Sequence, residues 1–454
     1  MKHGFRAALL ATCLFAAGLS HADGIALNQL GYPPGAAKVA AVPAGEAKAF
    51  RVVDAKTGKG VLQGPLGAAT RWELSGQDAR LADFSALKAP GRYRLQVDGL
   101  PDSAAFEVAT NVYAAVNAAS IKAFYYNRAS TPLLAAHAGQ WARPAGHPDD
   151  RVLVHASAAN ASRPEGTVIS APRGWYDAGD YNKYIVNSGI TVYTMLAAWE
   201  HYPALFKDGE LNIPESGNGL PDLLDEVLWN LEWMLAMQDP ADGGVYHKLT
   251  NKGFDGVVMP ADAKAERYVV QKGTTATLDF AAVMAQASRV FAAFEKQKPG
   301  LSARMLDASK RAWDWAQAHP NELYKQPPDI RTGGYGDKDV SDEFAWAGTE
   351  LFVTTGDARY KPDLAKLAIS VPGWPNVNGL AWTTLAHHRA RLAAADNAAV
   401  TSRVAAFGEE LTASWRNSPY RVGLSAKDYE WGSTAVMLNR ALMLIQAYRL
   451  QPQP

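Results

Sequence analysis

The sequence predicts a multidomain protein in which a small β-sandwich precedes a larger all-helical domain. The chain has 454 residues, which exceeds one ordinary domain. Short alternating segments separated by Gly, Pro and Asp fill residues 24–108, whereas from Asn111 onward apolar residues recur at helical spacing. We therefore predict a leader at 1–22, a β-sandwich at 23–108 and a helical domain at 109–454.

The strands and helices follow from these two periodicities. In the N-terminal part, four alternating segments predict a small β-sandwich: 25–30, 38–42, 92–97 and 105–108. In the C-terminal part, nine segments with helical periodicity predict serial antiparallel helices in an α/α toroid or a helical array. They lie near 112–127, 188–202, 220–237, 275–295, 301–318, 341–355, 376–395, 398–415 and 432–449.

The composition is that of a globular protein with a large core. Hydrophobic residues make up 48% and charged residues 20% of the chain, and the formal net charge is +0. This neutral balance argues against a nucleic acid or another polyanion as the partner. The thirteen Trp and eighteen Tyr suit a surface that faces carbohydrate, although a large helical core would use them as well.

Residues 1–22 have the pattern of a secretory signal peptide. Two basic residues supply the positive start, an apolar run follows at 7–18, and a small-x-small cleavage site ends the leader at Ala22. The run is too short to span a membrane, and no later run is long enough. We therefore expect a secreted or periplasmic protein. Cys13, the only cysteine, lies inside the leader, and a lipoprotein anchored through it is the weaker alternative.

Residues 129–173 lack periodicity and are rich in Pro, Gly, His and Ala. A loop of this length inside a compact domain is usually functional. The loop contains three histidines and two adjacent acids: His137, His147, His155, Asp149 and Asp150. A metal site is the less favoured interpretation, because the spacings fit no standard ligand pattern and the loop has no thiolate.

The most informative stretch is Gly-Trp-Tyr-Asp-Ala-Gly-Asp-Tyr-Asn-Lys-Tyr at 174–184. Two carboxylates, Asp177 and Asp180, lie three residues apart, and glycines at 174 and 179 allow a turn where a side chain would clash. Aromatic rings stack on the CH faces of sugars while carboxylates transfer protons, so this combination suits a carbohydrate-cleaving site. A turn that only caps the helix beginning near Asn187 is the alternative that composition leaves open.

This stretch resembles the signature of the inverting cellulases of glycoside hydrolase family 9. Later segments also resemble that family: IPES at 213–216, NGLPDLLDE at 218–226, GGVYHK at 243–248, DEFAWA at 342–347, TGD at 355–357 and YEWGS at 429–433. The opening IALNQLGYPPGAAKVAAV resembles the immunoglobulin-like module that precedes many bacterial catalytic domains of this family. The resemblance implies an (α/α)6 barrel behind an immunoglobulin-like sandwich, and cleavage of β-1,4-glucosidic bonds with inversion.

The resemblance also implies roles for individual residues. Asp180 would be the base that activates water and Asp177 its partner in holding that water, with an acid roughly 6.5–9.5 Å away to protonate the leaving oxygen. Five residues would contact substrate: Trp175, Tyr176, Tyr181, His247 and Trp431. Asp342 and Glu343 align with a calcium-binding pair of some members, although they could equally cap the helix that begins there. No cofactor is required, and a structural calcium ion is possible.

The resemblance fails near the C-terminus. In the family, a Pro-His-His-Arg segment that binds substrate and an Asn-Glu pair that supplies the general acid follow the W-G-S segment. Neither follows residue 433 here, so we expect a catalytic domain that is incomplete at its C-terminus. His387-His388-Arg389 precedes that segment and lacks its Pro, and we interpret it as part of a helix surface. Glu430 is a weak candidate for a replacement acid.

Two functions therefore compete. The first is a secreted glycosidase that acts on cellulose, cellodextrins or a related β-glycan. The second is a catalytically impaired family member that at most binds glucan, because loss of the acid removes a main source of the rate. A lyase on an unrelated helical toroid is disfavoured, since it would centre on His, Tyr and Arg rather than on paired Asp residues.

Overall fold

The structure is a computed structural model that describes residues 24–429 and 432–452. The predicted leader at 1–22 lies outside the described residues. The chain forms two compact units, which are the residues up to Ala114 with Arg416–Val422, and Ala115–Trp415 with the residues from Gly423 onward. The exact domain boundaries at 22 and 108 stay predictions.

The first unit is a sandwich of two antiparallel sheets. Its strands are β1 (Val39–Pro43), β2 (Ala49–Asp54), β3 (Gly60–Pro65), β4 (Thr70–Trp72), β5 (Gln77–Asp83), β6 (Gly91–Val97) and β7 (Phe106–Val108). They pair in the orders β1-β5-β4 and β3-β2-β6-β7. Alternate residues of β6 are buried, and both sheets contribute to one core that includes Val42, Phe50, Leu95 and Phe106. The predicted sandwich is confirmed.

The predicted strand at 25–30 is wrong. Ala26 makes only a single bridge to Ala41, after which the chain turns. The Asn28 side chain accepts a hydrogen bond from the Leu30 amide at 3.1 Å, and Gly31 has a φ of +116°. Such a local side-chain bond competes with pairing to a neighbouring strand. The sequence pattern also does not predict β2 to β5, which complete both sheets.

The second unit is helical and surrounds one core. The described residues contain ten α-helices: α1 (Ala114–Tyr126), α2 (Ala135–Ala138), α3 (Ile185–His201), α4 (Asp222–Ala236), α5 (Thr274–Phe291), α6 (Leu301–Ala318), α7 (Ser341–Thr355), α8 (Asn378–His387), α9 (Ala394–Asn417) and α10 (Ser433–Leu450). Every predicted helix has a counterpart here, and α2 is additional. Across residues 24–429 and 432–452, none of the helices has both the length and the apolar character needed to cross a membrane.

The prediction is wrong for the second half of the segment at 376–395. Helix α8 ends at His387, a short 3-10 turn follows, and α9 begins at Ala394. In that turn Arg391 donates a hydrogen bond to the Val353 carbonyl in the last turn of α7 at 2.6 Å. A contact between distant residues therefore accompanies the break, and no Gly or Pro marks it in the sequence.

Helix α5 lies at the centre of the helical core. Every residue of α5 except Arg289 is buried, and α3, α6 and α7 pack around it. Arg289 forms ion pairs at 2.7 Å with Glu200 of α3 and at 2.7 Å with Glu350 of α7. One guanidinium thus joins three helices, which suits the fixed fork of an arginine.

A small sheet in the second unit positions the 174–184 stretch. Its strands are β8 (Val152–Val154), β9 (Val168–Ile169), β10 (Lys183–Tyr184), β11 (Lys248–Thr250) and β12 (Tyr268–Val269), in the order β10-β11-β12-β8-β9. The aperiodic loop at 129–173 thus contributes two strands. Tyr184 of β10 pairs with Lys248 of β11. The sheet therefore fixes the end of the stretch directly before α3 begins at Ile185.

Candidate active site

The 174–184 stretch forms a turn whose first residue must be glycine. Gly174 has a φ of +80°, and a Cβ there would lie 2.8 Å from the Trp233 ring. Gly179 is different, because a Cβ at that position meets nothing within 4 Å. The expectation that both glycines avoid a clash is therefore confirmed for Gly174 and wrong for Gly179.

A buried ion network holds the first half of the turn. Arg128 lies 2.9 Å from Glu226 of α4 and 3.0 Å from Glu215. The indole Nε1 of Trp175 donates to Glu226 Oε1 at 2.8 Å, and the Trp175 amide donates to Asn230 Oδ1 at 3.1 Å. Burial raises the pKa of Glu226, and the charge of Arg128 opposes that shift. Glu226 thus neutralises Arg128 and orients the Trp175 ring at the same time.

A second ion network holds the other half. The Asp149 carboxylate lies 2.8 Å from Lys183 Nζ and 3.2 Å from Arg267 Nε. Arg267 also donates to the Tyr181 carbonyl at 2.7 Å, and Lys183 donates to two carbonyls just before the turn. Burial alone would raise the pKa of Asp149, but Lys183 and Arg267 outweigh it and hold the pKa below its ordinary value. One carboxylate therefore fixes the turn at two points.

Asp177 and Asp180 are half-buried, so both carboxylates remain accessible. Asp177 accepts hydrogen bonds from Asn187 Nδ2 at 2.7 Å and from the Tyr335 hydroxyl at 2.8 Å. Burial raises the pKa of Asp177; these two hydrogen bonds oppose the shift, and the charge of Asp180 adds to it. Both oxygens of Asp177 are therefore fixed by neutral donors, which suits a carboxylate that orients water.

Asp180 has a different set of partners. Its Oδ2 accepts from the Tyr184 hydroxyl at 3.0 Å and from Asn182 Nδ2 at 2.5 Å. The Tyr184 hydroxyl accepts in turn from the Gly333 amide at 3.1 Å, so its own proton points to Asp180. Within the described part of the chain, Asp180 Oδ1 receives no hydrogen bond. That oxygen can accept a proton from a water molecule.

A small cavity lies beside Asp177. Its volume is about 70 Å³, and its lining includes Asp177, Tyr184, Asn187 and Ser188. A cavity of this volume has room for water. The site therefore has room for water on the side of the turn that Asp177 faces.

Two of the predicted substrate contacts are buried parts of the turn. Trp175 is 6% exposed and packs against Phe124 at 4.7 Å between ring centroids. Tyr176 is 5% exposed, and its hydroxyl is bonded to His147 Nδ1 at 2.9 Å. Both rings thus support the backbone that carries Asp177. Direct contact of either ring with substrate stays a prediction.

The other predicted contacts differ in accessibility. His247 is 1% exposed, stacks on Tyr324 at 3.8 Å, and bonds to the Gly334 carbonyl at 2.7 Å. Burial lowers the pKa of His247 to about 3, so its imidazole is neutral. Tyr181 is half-buried and is the most open of the described candidates. Trp431 and the acid candidate Glu430 lie outside the described residues, and their roles stay predictions.

Asp342 and Glu343 lie in the first turn of α7 but do not cap it. Asp342 Oδ2 accepts from the Val377 amide at 2.7 Å instead, and α7 has no side-chain cap, so the capping alternative is wrong. Both carboxylate oxygens of Glu343 and Oδ1 of Asp279 are buried without a hydrogen-bond partner among the described residues. Burial and then the charges of Asp279 and Asp342 raise the pKa of Glu343. Calcium at this position stays a prediction.

The loop histidines do not converge. His137 bonds to Asn212, His147 to Tyr176, and His155 to Asp329 and Ser157. No group of three or more His, Cys, Asp or Glu side chains in residues 24–429 and 432–452 is placed to hold a metal ion. The histidines therefore serve as separate structural contacts of the loop.

The sequence does not predict several residues that complete the site. Tyr335 bonds to Asp177 across 158 positions, and only a Gly-rich segment around it indicates a turn. Asn187 and Asn182 follow the acids closely, but an Asn near an Asp is too common to be a signal. Lys248 lies within a segment that resembles the family, although only the pairing of β10 with β11 shows its proximity to Tyr184.

Comparison with known proteins identifies the family. Residues 113–454 match the family described as Glycosyl hydrolase family 9, and residues 20–102 match the Cellulase N-terminal ig-like domain. The chain belongs to glycosyl hydrolase family 9. Proteins of this family are glycosidases, so the paired carboxylates belong to an enzyme of that class.

Relatives extend over nearly the whole chain. The xyloglucan-specific endo-beta-1,4-glucanase of Bacteroides ovatus is 42% identical over 461 residues, which cover 98% of this chain and 78% of that protein. Endoglucanase D of Acetivibrio thermocellus is 29% identical over 442 residues, which cover 94% of this chain and 68% of that protein. The alignments thus place this family 9 chain beside endoglucanases along both of its units.

Solved structures agree in fold. The structure of Bacteroides ovatus GH9 matches with a TM-score of 0.90 at 42% identity and covers 95% of this chain and 81% of that one. A metagenome-derived family 9 endoglucanase matches with a TM-score of 0.86 at 31% identity, covering 95% and 80%. The predicted immunoglobulin-like sandwich followed by a helical family 9 domain is confirmed.

The Asp149 network gives a first prediction. Asp149→Asn is expected to lower the free energy of unfolding by about 3–5 kcal/mol at neutral pH, because Lys183 and Arg267 then lose their carboxylate in the interior. The folded-state pKa of Asp149 is depressed, so its stabilisation is complete above the unfolded pKa of about 3.9 and disappears as pH falls through the lower folded value. The difference between variant and wild type therefore shrinks in acid.

Denaturant titrations at pH 7 and at the lowest pH that keeps the wild type folded measure this difference. Asp150→Asn is the matched control, because Asp150 is the exposed neighbour of Asp149. The control should unfold like the wild type. Equal stabilities of the two variants at pH 7 would contradict the role given to Asp149.

Proposed function

We propose that this family 9 protein is a secreted enzyme that cleaves β-1,4-glucosidic bonds of a cellulose-type glucan with inversion of configuration. The observation that carries the proposal is the pair Asp177 and Asp180, which are half-buried in one turn, with a small cavity beside Asp177. Family membership supports the reaction class. The names of the relatives, which include a xyloglucan-specific endoglucanase, favour a β-1,4-glucan over other glycans.

In this mechanism Asp180 is the base. A water oriented by Asp177 gives one proton to Asp180 Oδ1 while its oxygen forms a bond to the anomeric carbon. The glycosidic C–O bond breaks, and the leaving oxygen takes a proton from an acid on the opposite side of the sugar. Tyr184 and Asn182 hold the other oxygen of Asp180, so the base cannot rotate away from the water. Glu430 stays the weak candidate for the acid.

Asp180→Asn should reduce kcat on cellohexaose or xyloglucan by about a thousandfold or more, because an amide cannot take the proton from water. The fold should persist, since the amide keeps the size of the carboxylate. Chromatography that resolves the anomers is expected to show α-configured products from the wild type. Asp150→Asn, on the exposed part of the loop, should retain full activity.

Two outcomes would contradict the proposal in different ways. A folded wild-type protein that binds both glucans without cleaving them would support the alternative of a glucan-binding family member. Turnover by Asp180→Asn at the wild-type rate would refute only the assignment of the base.

We propose in addition that the leader at 1–22 directs export. The basic start, short apolar run and small-x-small end support this proposal. Expression of the whole chain in a Gram-negative bacterium should give a periplasmic or extracellular protein whose N-terminal sequence begins at Asp23. A cytoplasmic product that retains the leader would contradict it.

We propose, finally, that Asp342 and Glu343 bind a structural calcium ion. Calcium prefers oxygen ligands, and the two unpartnered oxygens of Glu343 with the adjacent Asp279 form a buried group of acids whose charges raise the pKa of Glu343. A cation would relieve that repulsion. Because the described residues place no three acidic or His side chains around one point, the further ligands would be carbonyl oxygens or water.

Calcium binding to the folded state must raise the melting temperature, since a ligand of the native state stabilises it. We expect a chelator to lower the melting temperature by several degrees and added calcium to restore it. Glu343→Gln should remove this response, while Asp337→Asn tests whether a neighbouring acid contributes. Identical melting curves of the wild type with and without calcium would refute the proposal.

A further inference from the structure

Lys248 is a buried cation in the second unit, and no described residue forms an ion pair with it. Its side chain is 0% exposed, and it follows His247 at the start of β11. Its Nζ donates to Gln326 Oε1 at 3.1 Å, to Thr332 Oγ1 at 3.0 Å and to the Gly333 carbonyl at 2.5 Å. These three acceptors use all three ammonium protons, yet none of them is charged.

A buried charge without a counter-ion is costly, so the position of Lys248 requires an explanation. Part of the cost is offset by two aromatic rings, because Nζ lies 5.6 Å from the ring centroid of Tyr184 and 5.7 Å from that of Tyr324. Among the charged groups of the described residues, the carboxylate of Asp180 is the one whose field acts on the amine. The charges of Lys248 and of the proposed base therefore interact.

A chain of hydrogen bonds connects Lys248 to Asp180. The Gly333 carbonyl accepts from Lys248, and the Gly333 amide donates to the Tyr184 hydroxyl at 3.1 Å. Tyr184 donates in turn to Asp180 Oδ2 at 3.0 Å. The register of the sheet places Tyr184 opposite Lys248, so the chain is fixed by the backbone as well.

We propose that Lys248 is a positioning residue for hydrolysis: it holds the Thr332–Gly333 turn against Tyr184, so that Tyr184 donates to Asp180, and it supplies a positive charge that interacts with that of the base. This proposal rests on the proposed function, because it takes Asp180 as the base. In this role Lys248 acts through Gly333, Tyr184 and its charge rather than by contact with the reacting water or the sugar.

The proposal implies a pH dependence with a definite sign. Burial lowers the pKa of Lys248 to about 7, and the charge of Asp180 opposes the shift. When Lys248 loses its proton, the neutral amine has two N–H groups for three acceptors, so one hydrogen bond is lost together with the positive charge. Hydrolysis should therefore decline as pH rises through neutrality.

The other titratable groups that face the amine do not titrate in that range. They are Tyr184 on β10, Tyr324 on the neighbouring loop and His247 directly before β11. Burial raises the pKa of both tyrosines and lowers that of His247 to about 3, so all three stay neutral near pH 7. The alkaline decline is therefore assigned to Lys248 rather than to these neighbours.

The kinetic test is the pH profile of kcat and KM on cellohexaose for three variants. Lys248→Met should lower kcat by roughly tenfold or more at every pH with KM nearly unchanged, because the base is misplaced while substrate contacts remain. Lys248→Arg keeps a charge that does not titrate, so it should recover activity relative to Lys248→Met and lose the alkaline decline. Lys252→Met, an exposed lysine just beyond β11, is the matched control and should behave like the wild type.

A second measurement does not depend on activity. In protein with ¹³C-labelled lysine, the Lys248 side-chain signal is identified by its loss in Lys248→Met, and its titration is followed by NMR in the wild type and in Asp180→Asn. Removal of the Asp180 charge should lower the pKa of Lys248 further, since that charge opposes the effect of burial. The Lys252 signal should not move.

The two measurements separate the possible failures. A Lys248 pKa that is the same in wild type and Asp180→Asn would overturn the proposal, as would wild-type kcat in Lys248→Met. A shifted Lys248 pKa in a protein that cleaves no glucan would refute the proposed function and would leave the coupling of Lys248 to Asp180 established. If Lys248→Met does not fold, the Lys248→Arg profile and the NMR titration decide.

Discussion

The candidate site depends on charge that is buried under the 174–184 turn. Asp149 neutralises both Lys183 and Arg267, and these cations hold backbone carbonyls at the two ends of the turn. Taking such charges out of water is costly, and removing one partner leaves the others uncompensated. A partly formed version of this ion network is therefore high in free energy, and the turn that it holds is rigid. This rigidity is what a pair of carboxylates needs, because a base displaced by even one ångström loses much of its effect.

The sequence predicts those parts of the fold and site that are encoded locally. Helices such as α5 and α7 follow from periodicity, and Asp177 and Asp180 follow from a short stretch of acids, aromatics and glycine. The failures have non-local causes. The end of α8 accompanies a contact of Arg391 with α7, and Tyr335 reaches Asp177 across 158 positions. Neither contact leaves a periodic or compositional trace, so only the folded chain shows it.

The exposed fraction of each side chain distinguishes aromatic and histidine residues that the amino-acid composition cannot distinguish. Aromatic and histidine side chains near paired acids predict a sugar-binding surface, yet Trp175 and His247 are almost fully buried and each has a structural partner. An indole N–H in the interior requires an acceptor, and Glu226 provides it for Trp175. The same Glu226 neutralises Arg128, so the aromatic residue and the ion network depend on each other. Such residues support the backbone of the turn, whereas Tyr181 is half-buried and more accessible.

The environments of the two carboxylates, and not their spacing alone, distinguish their roles. Groups of the same type perform different chemistry when their surroundings favour different protonation states. Asp177 lies among neutral donors, and burial raises its pKa. The charge of Asp180 instead acts on Lys248, and the Tyr184 hydroxyl, which is itself held by the Gly333 amide, donates to Asp180. Neutral donors hold both oxygens of Asp177, whereas among the described residues only one oxygen of Asp180 is held and its Oδ1 is left for water. This difference in partners supports the proposal that Asp180 is the base and that Asp177 orients the water.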